Sequence, residues 1–352
     1  MNNNAGQSDN PFGTSFDFYD EIIYNDAKRD FSRFFLGLFI FNVLAYAATF
    51  FISVAITFII GPDKATALSE NIYFVMIMGT LPMYCFALPA LVWFVAKMPR
   101  RIPKKEPFSV KSFIVLIPVA IFLMSLGNYV GIFLNSIIGA IRGTPVENVL
   151  IEQVSKSPTW LTVILGVILG PIVEEFIFRR IMIDRLSRYG YVLAILVSSL
   201  AFGLFHGNLY QFFYATLVGV LLGYIYVKSG NWLYCALMHG LINLYSGVIA
   251  DKMSKIITKA SELMVQYEAG TLADTSALSY YLSITNLYTY FHFGMMIFGA
   301  IVLFKFARRK IPIIIDTEKA SIPKGKRAAA VFLNTGALLY ILSSIVIFII
   351  QL

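Results

Sequence analysis

Charged residues are scarce in this sequence: they occupy 14% of its 352 positions, whereas soluble globular domains carry about 25%. Hydrophobic residues make up 58% of the chain. A chain of this length can bury a large core without being so apolar, so the composition excludes an ordinary soluble domain and indicates a second apolar environment, the lipid. Cysteine is nearly absent as well. Cys85 and Cys235 both fall inside apolar runs, which excludes the disulfide framework of a small secreted protein.

The apolar residues are gathered in blocks long enough to cross a bilayer. A spanning helix needs about 20 predominantly apolar residues, because the hydrocarbon core is about 30 Å thick and an α-helix rises about 1.5 Å per residue. We therefore expect an all-α fold, a polytopic integral membrane helical bundle of about nine transmembrane helices, with eight to ten as the range. The predicted spans, of which the fifth is the shortest, are 34–60, 72–96, 113–141, 160–186, 191–207, 210–228, 231–250, 284–305 and 328–351.

The segments outside the spans predict the organisation of the chain. Residues 1–30 contain nothing like a cleaved signal peptide, and we expect a polar, mostly disordered cytoplasmic tail there. Residues 31–352 are expected to form a single transmembrane bundle, whose middle, 160–250, differs from the rest because polar residues lie within its apolar spans. Residues 252–268 place apolar side chains at helical spacing among lysines and glutamates, which predicts an amphipathic helix on the outer surface. The stretch 307–327 is basic and predicts an inner loop.

The net charge of +8 does not indicate nucleic acid, because its placement follows the membrane topology. Most of the 28 lysines and arginines fall on one side of the predicted bundle when the tail is placed inside. This is the positive-inside pattern of a membrane protein with a cytoplasmic N-terminus. We expect a multi-pass protein of the plasma membrane, with membrane lipids as partners and no nucleic acid. The sequence does not determine the oligomeric state.

The fourth predicted span carries ionisable residues at membrane depth, which by default mark a functional site. Glu175 and Arg179 lie four residues apart on one helix face, with the acid N-terminal to the base, so they are expected to form an intrahelical ion pair. Glu174 is rotated about 100° away and has no such partner. We therefore assign orientation of the helix to Glu175 and Arg179, and chemistry to Glu174. Gly170-Pro171 just before them is expected to loosen the helix.

Two of the three histidines fall in the spans that follow. His206 ends the short fifth span, and His239 lies four residues before Asn243 in the seventh. At about 1.5 Å per residue, Glu174 and these three residues lie about 12 to 22 Å from the same surface. All four are therefore within the hydrocarbon thickness, where they can form one cluster. The third histidine, His292, has no evident partner in the sequence and is predicted to be structural.

These residues give the sequence a resemblance to a known family. It resembles the type II CAAX prenyl endopeptidases, also called the CPBP or Abi family of intramembrane proteases. The family motifs E-E-x-x-x-R, F-x-x-x-H and H-x-x-x-N match Glu174-Glu175…Arg179, Phe202…His206 and His239…Asn243 in order on successive hydrophobic segments. The resemblance covers about 160–250 and implies that this stretch is the catalytic core of the bundle. Arg180 stands where the family commonly has glycine.

The resemblance implies hydrolysis of a peptide bond within the membrane, on CAAX-like lipidated proteins or small peptide precursors. In this hypothesis Glu174 and His206 hold and deprotonate a water that attacks the scissile carbonyl, and His239 and Asn243 donate hydrogen bonds to the oxyanion. Glu175 and Arg179 hold the helix in place. A metalloprotease is the alternative, in which Glu174, His206 and His239 bind zinc and leave a position for water. Because no His-Glu-x-x-His motif is present, we expect a glutamate-type mechanism without a cofactor.

Two other functions fit buried charges in a membrane bundle. An ion- or proton-coupled transporter uses such groups, although transporters often show paired halves with broken helices, a symmetry this sequence lacks. A non-catalytic bacteriocin-immunity or scaffold protein would keep the fold and bind another membrane protein. The intact set of motif residues favours the protease over both.

Overall fold

The fold is a bundle of α-helices. A computed structural model of the chain describes residues 15–308 and 322–352, and within these ranges there is no β-strand. Residues 1–14 of the predicted tail and 309–321 of the predicted basic loop lie outside the described residues. The helices are α1 (Ser15–Ile60), α2 (Pro62–Ser69), α3 (Ile72–Val95), α4 (Val110–Arg142), α5 (Val149–Lys156), α6 (Thr159–Tyr189), α7 (Tyr191–Phe205), α8 (Leu209–Ser229), α9 (Trp232–Glu268), α10 (Ser276–Arg308), α11 (Arg327–Phe332) and α12 (Thr335–Ile350).

The described helices confirm a polytopic membrane bundle. Seven of them are long and apolar enough to cross a bilayer, and α7 and α12 are shorter apolar helices. Together they match the nine apolar blocks of the sequence. The amphipathic segment predicted at 252–268 is helical, but it continues the seventh predicted span without a break, so both lie in α9. The 15 residues of α7 cover about 22 Å, which is less than the hydrocarbon thickness.

The start of α1 differs from the predicted disordered tail. The helix begins at Ser15, so residues 15–30 are helical rather than disordered. Ala27 and Asp30 are buried, and Asp30 accepts a hydrogen bond from the Tyr189 hydroxyl at 2.8 Å. Arg188 lies 3.4 Å from carboxylate oxygens of both Asp26 and Asp30. These contacts with the end of α6 stabilise the helical conformation of the polar part of α1. The composition of this part alone does not predict them.

Asparagine side chains define where several of the helices start. Asn208 accepts a hydrogen bond from the Gln211 N–H at the start of α8, and Asn231 accepts one from Leu233 at the start of α9. Such caps satisfy N–H groups that have no partner in the first helical turn. The α7–α8 turn also needs Gly207, whose φ of 68° is in the left-handed region. This turn ends α7 at His206 and places that side chain inside the bundle.

Glycines bring the helices of the predicted catalytic core into close contact. A Cβ atom at Gly240 in α9 would lie 2.7 Å from the Val167 carbonyl oxygen in α6, and one at Gly203 in α7 would lie 2.1 Å from the Thr216 hydroxyl in α8. Small residues allow such approach of helix backbones in membranes. As a result α6, α7, α8 and α9 pack as one unit, with α4 lying along α8.

Near the C-terminal end of α6, Asp184 is the centre of a buried polar cluster. Asp184 is fully buried; it accepts a hydrogen bond from the Tyr226 hydroxyl in α8 and lies 2.7 Å from the Arg180 guanidinium. Arg185 donates to the Val95 carbonyl oxygen at 2.9 Å and so joins α6 to α3. Arg180, the residue that departs from the family pattern, therefore has a structural partner on its own helix.

Candidate active site

The site is centred on a part of α6 where the helix departs from regular α-geometry. Gly170–Glu175 is α-helical, whereas Val163–Leu169 before it and Phe176–Ile183 after it are π-helical. A π-helical turn leaves a backbone carbonyl without its usual partner, and such turns often occur at functional sites. Pro171, at the start of the central segment, has no N–H to contribute to the helix. The two glutamates therefore follow a loosened stretch of helix, as Gly170-Pro171 predicted.

Glu175 is fully buried and holds two partners. Its Oε2 lies 2.8 Å from Arg179 Nε, so the ion pair expected from the spacing is present, and neither side chain is exposed. Its Oε1 accepts a hydrogen bond from His239 Nδ1 at 3.0 Å. Glu175 thereby joins α6 to α9 and fixes which nitrogen of His239 carries a proton.

Arg179 extends this network to α7. Its Nη1 donates to the Ser198 hydroxyl at 3.0 Å, and Ser198 in turn donates to the Phe178 carbonyl oxygen at 2.7 Å. The guanidinium lies 5.2 Å from the centre of the Phe202 ring, a cation–π contact. Sequence analysis did not identify Ser198, because an isolated serine in an apolar helix gives no signal of its partner.

Glu174 is the less satisfied of the two carboxylates. Its side chain is 20% exposed, and its Oε2 lies 3.9 Å from His239 Nε2, which is too far for a direct hydrogen bond. Oε2 is itself buried and has no hydrogen-bond partner among the described residues. A buried carboxylate oxygen of this kind is costly unless it is solvated or serves a function.

His206 lies at the end of α7 with one nitrogen occupied. Its Nδ1 is 2.8 Å from the Phe202 carbonyl oxygen. Because a carbonyl only accepts, Nδ1 carries the proton, and Nε2 of the neutral ring is free to accept a hydrogen bond. The Phe202 ring packs edge-to-face on both His206 and His239, with centroid distances of 4.7 and 5.6 Å. Phe202 therefore sets the position of both histidines by packing.

Asn243 does not contact the other site side chains directly. Its Nδ2 donates to the Gly166 carbonyl oxygen at 2.8 Å, in the π-helical turn of α6. One of its two amide hydrogens is therefore used to hold α9 against α6, and the other remains for a ligand. The close approach at Gly240 supports the same contact between these helices.

His292 has partners that the sequence did not reveal. Its Nδ1 lies 2.8 Å from the Tyr245 hydroxyl, and the two rings are stacked. Tyr245 follows Asn243 by two residues, so this pair links α10 to the site-bearing part of α9. The prediction of a structural role fits the contact, although it rests on a partner 47 residues away in the chain.

A zinc ion in a protein requires at least three donor side chains that converge on one point. Within residues 15–308 and 322–352, no three histidine, cysteine, aspartate or glutamate side chains are grouped so that they could hold a metal ion. Glu174, His206 and His239, the alternative zinc ligands, therefore do not fit a three-ligand zinc site in this arrangement.

The middle of the chain matches one known protein family. Residues 156–245 match Rce1-like, described as type II CAAX prenyl endopeptidase Rce1-like. We refer to this stretch as the Rce1-like segment, after the family it is similar to. It contains the whole of α6, α7 and α8 and the start of α9. Its residues include Glu174, Glu175, His206, His239 and Asn243, and the match confirms the resemblance stated from the motifs.

Two curated relatives match parts of the chain. The chain is 30% identical over 112 residues to "Putative membrane peptidase YdiL" of Bacillus subtilis (strain 168), an alignment that covers 29% of this chain and 45% of the relative. It is 37% identical over 93 residues to an "Uncharacterized protein" of Mycoplasma capricolum, covering 25% of this chain and 27% of the relative. The chain thus spans less than half the length of these relatives. No solved structure matches it.

Proposed function

We propose that this protein is an intramembrane endopeptidase that hydrolyses a peptide bond with a water activated by Glu174 and His206. The observation that carries the proposal is the Glu174 carboxylate: its Oε2 is buried, has no partner among the described residues and faces His239 Nε2 at 3.9 Å. A water or a substrate atom placed there would satisfy it. The match to a family of prenyl endopeptidases supports the same reaction.

The proposed reaction uses the groups in a fixed order. A water hydrogen-bonded to Glu174 and to His206 Nε2 attacks the scissile carbonyl carbon as one of its protons passes to Glu174. The carbonyl electron pair moves to oxygen and forms a tetrahedral oxyanion. When the C–N bond breaks, Glu174 returns the proton to the leaving nitrogen, so the carboxylate is regenerated.

His239 and Asn243 are proposed to stabilise the oxyanion, with Glu175 and Arg179 as positioning residues. Because His239 Nδ1 already donates to Glu175, Nε2 can donate only when the ring is doubly protonated. The Glu175 carboxylate stabilises that cation, which explains why a fully buried acid lies behind the histidine. Asn243 offers its second amide hydrogen. Removing one donor from an oxyanion site typically lowers kcat by about 10²–10³-fold.

The substrates we propose are CAAX-like lipidated proteins or small peptide precursors held in the membrane, with lipids as the surrounding partner and no nucleic acid. The distribution of lysine and arginine supports a cytoplasmic N-terminus, and we propose the plasma membrane as the location. Labelling of single cysteines introduced at exposed loop positions, from each side of sealed vesicles, tests the orientation.

The test of activity compares membrane peptides, by mass spectrometry, in cells with the wild-type chain and with Glu174→Ala. We expect at least one membrane peptide to lose its cleaved form in Glu174→Ala. The matched control is Glu70→Gln, an exposed glutamate at the end of α2, which should behave as wild type. Identical peptide profiles, with a proton or ion flux in vesicles that depends on Glu174, would instead support a transporter. Identical profiles without flux would support a scaffold.

Metal dependence is tested with the same cleavage. We propose a mechanism without metal or other cofactor, because the donor groups do not form a three-ligand site. Cleavage by the purified chain should therefore survive exhaustive chelation. Loss of cleavage that zinc restores would overturn this part of the proposal and return Glu174, His206 and His239 to the role of ligands.

A further inference from the structure

Helix α3 runs beside the site although it lies outside the Rce1-like segment. At one end its Tyr73 ring packs on Trp160 of α6, with centroids 6.2 Å apart. At the other end its Val95 carbonyl oxygen accepts the hydrogen bond from Arg185 of α6. Because α3 is attached to α6 at both ends, its middle is held next to the part of α6 that carries the two glutamates.

The middle of α3 presents a tyrosine to Glu174. Tyr84 lies in the π-helical turn Met83–Ala87, directly after Pro82. A Cβ atom at Gly170 would lie 3.7 Å from Glu174 Oε1 and 3.9 Å from the Tyr84 hydroxyl oxygen. The two oxygens therefore border the same small space over Gly170.

The two oxygens of Glu174 consequently face different groups. Oε2 faces His239, and Oε1 faces the space that it shares with Tyr84. Within the described parts of the chain, the Tyr84 hydroxyl has no hydrogen-bond partner, and the side chain is half-buried. The hydroxyl is not sealed inside the protein, so it can donate to a molecule bound in the space that it shares with Glu174.

The oxyanion needs such a donor. Asn243 already donates one of its two amide hydrogens to the Gly166 carbonyl, and the His239 ring donates through Nε2 only as a cation. A tyrosine hydroxyl is neutral, donates without a change of protonation and is a known type of oxyanion donor.

We propose that Tyr84 is a further catalytic residue, whose hydroxyl donates a hydrogen bond to the carbonyl oxygen of the scissile bond as it becomes the oxyanion beside Glu174. This inference rests on the proposed function. It adds to the site a residue from a helix that the family match does not include.

The kinetic test uses the purified full-length chain in detergent and two synthetic probes, a farnesylated CAAX peptide and the same peptide without the lipid. Tyr84→Phe removes only the hydroxyl, and we expect kcat to fall by about 10²-fold with KM within about threefold of wild type. Tyr73→Phe, on the same helix, is the matched control and should keep wild-type rates. Glu174→Gln sets the inactive baseline.

The outcomes separate the two proposals. If the wild-type chain cleaves neither probe, nor any membrane peptide in the cellular comparison, the proposed function fails and this inference fails with it. If the wild-type chain cleaves a probe and Tyr84→Phe cleaves it at the wild-type kcat, the inference alone is overturned. A loss confined to KM would also overturn it, because an oxyanion donor acts in the transition state.

The placement of Tyr84 is tested without turnover. In a chain carrying Cys85→Ser and Cys235→Ala, the pair Tyr84→Cys and Glu174→Cys should be joined by a short thiol cross-linker. The pair Tyr73→Cys and Glu174→Cys should not, since residue 73 is three helical turns away along α3. Absence of the first cross-link under conditions that label each single cysteine would overturn the placement.

Discussion

The buried ion pair of α6 gives the most direct test of the architecture. Glu175→Gln keeps the size of the side chain and an oxygen that can accept from His239, but it removes the negative charge 2.8 Å from Arg179. The guanidinium would then keep only the Ser198 hydroxyl and the Phe202 ring as partners. Because neither Glu175 nor Arg179 has any exposed surface, water cannot take over the charge.

Removing one partner of a fully buried pair costs about 3–5 kcal/mol, and we expect a loss in this range for Glu175→Gln. The double variant Glu175→Gln/Arg179→Met leaves no buried charge and should recover at least half of it. The assay is unfolding in mixed micelles, followed by the fluorescence of the three tryptophans. Glu152→Gln breaks the exposed Glu152–Lys156 pair and serves as the control, with no measurable change expected.

Two outcomes would refute the reasoning. A loss below about 1 kcal/mol for Glu175→Gln would mean that the charge is solvated, which contradicts its burial. A double variant that is less stable than both single variants would mean that the two side chains act independently.

Three further predictions concern other parts of the fold. Gly240→Ala places a methyl group against the Val167 carbonyl oxygen, so we expect the free energy of unfolding in micelles to fall by about 1–3 kcal/mol and cleavage to be slower. A variant as stable as wild type would contradict the close approach of α6 and α9. Tyr226→Phe removes the hydroxyl that donates to Asp184, so the free energy of unfolding should fall by about 1–3 kcal/mol in the same assay while cleavage is retained. An unchanged midpoint of the unfolding transition would contradict this prediction. The pKa of Asp274 is lowered because its carboxylate accepts hydrogen bonds from the backbone N–H and the hydroxyl of Ser276 at the start of α10. The Ser276 N–H should therefore be protected from hydrogen exchange at neutral pH, and this protection should be lost as the pH falls through the lowered pKa. Protection that is constant over this range, or an Asp274→Asn variant that behaves as wild type, would contradict the prediction.

The sequence predicts those features that depend on local spacing. The number and position of the apolar helices follow from composition over about 20 residues, and the Glu175–Arg179 pair follows from a spacing of four on one helix. The short fifth span correctly placed His206 at a helix end, because Gly207-Asn208 combines a turn residue with a helix cap.

The features it did not predict depend on contacts between distant segments. The polar start of α1 is helical in a structure where Asp30 meets Tyr189, 159 residues away. Asn243 bonds the Gly166 carbonyl in the π-helical turn of α6, where the Gly170 N–H bonds the Leu165 carbonyl instead. Neither Ser198 nor Tyr84 carries a motif, so their roles appear only when α7 and α3 are placed beside α6.

The intrahelical position of the Glu175–Arg179 pair has a consequence for how the protein is made. A single charged residue at the centre of a membrane helix opposes insertion by about 2.5–3.5 kcal/mol. Since both charges belong to the same turn of α6, each arrives at the translocon with its counter-ion already attached. The Glu175–Arg179 pair can therefore enter the bilayer as a neutral unit during synthesis, before the ribosome has produced the histidine of α9 that completes the network.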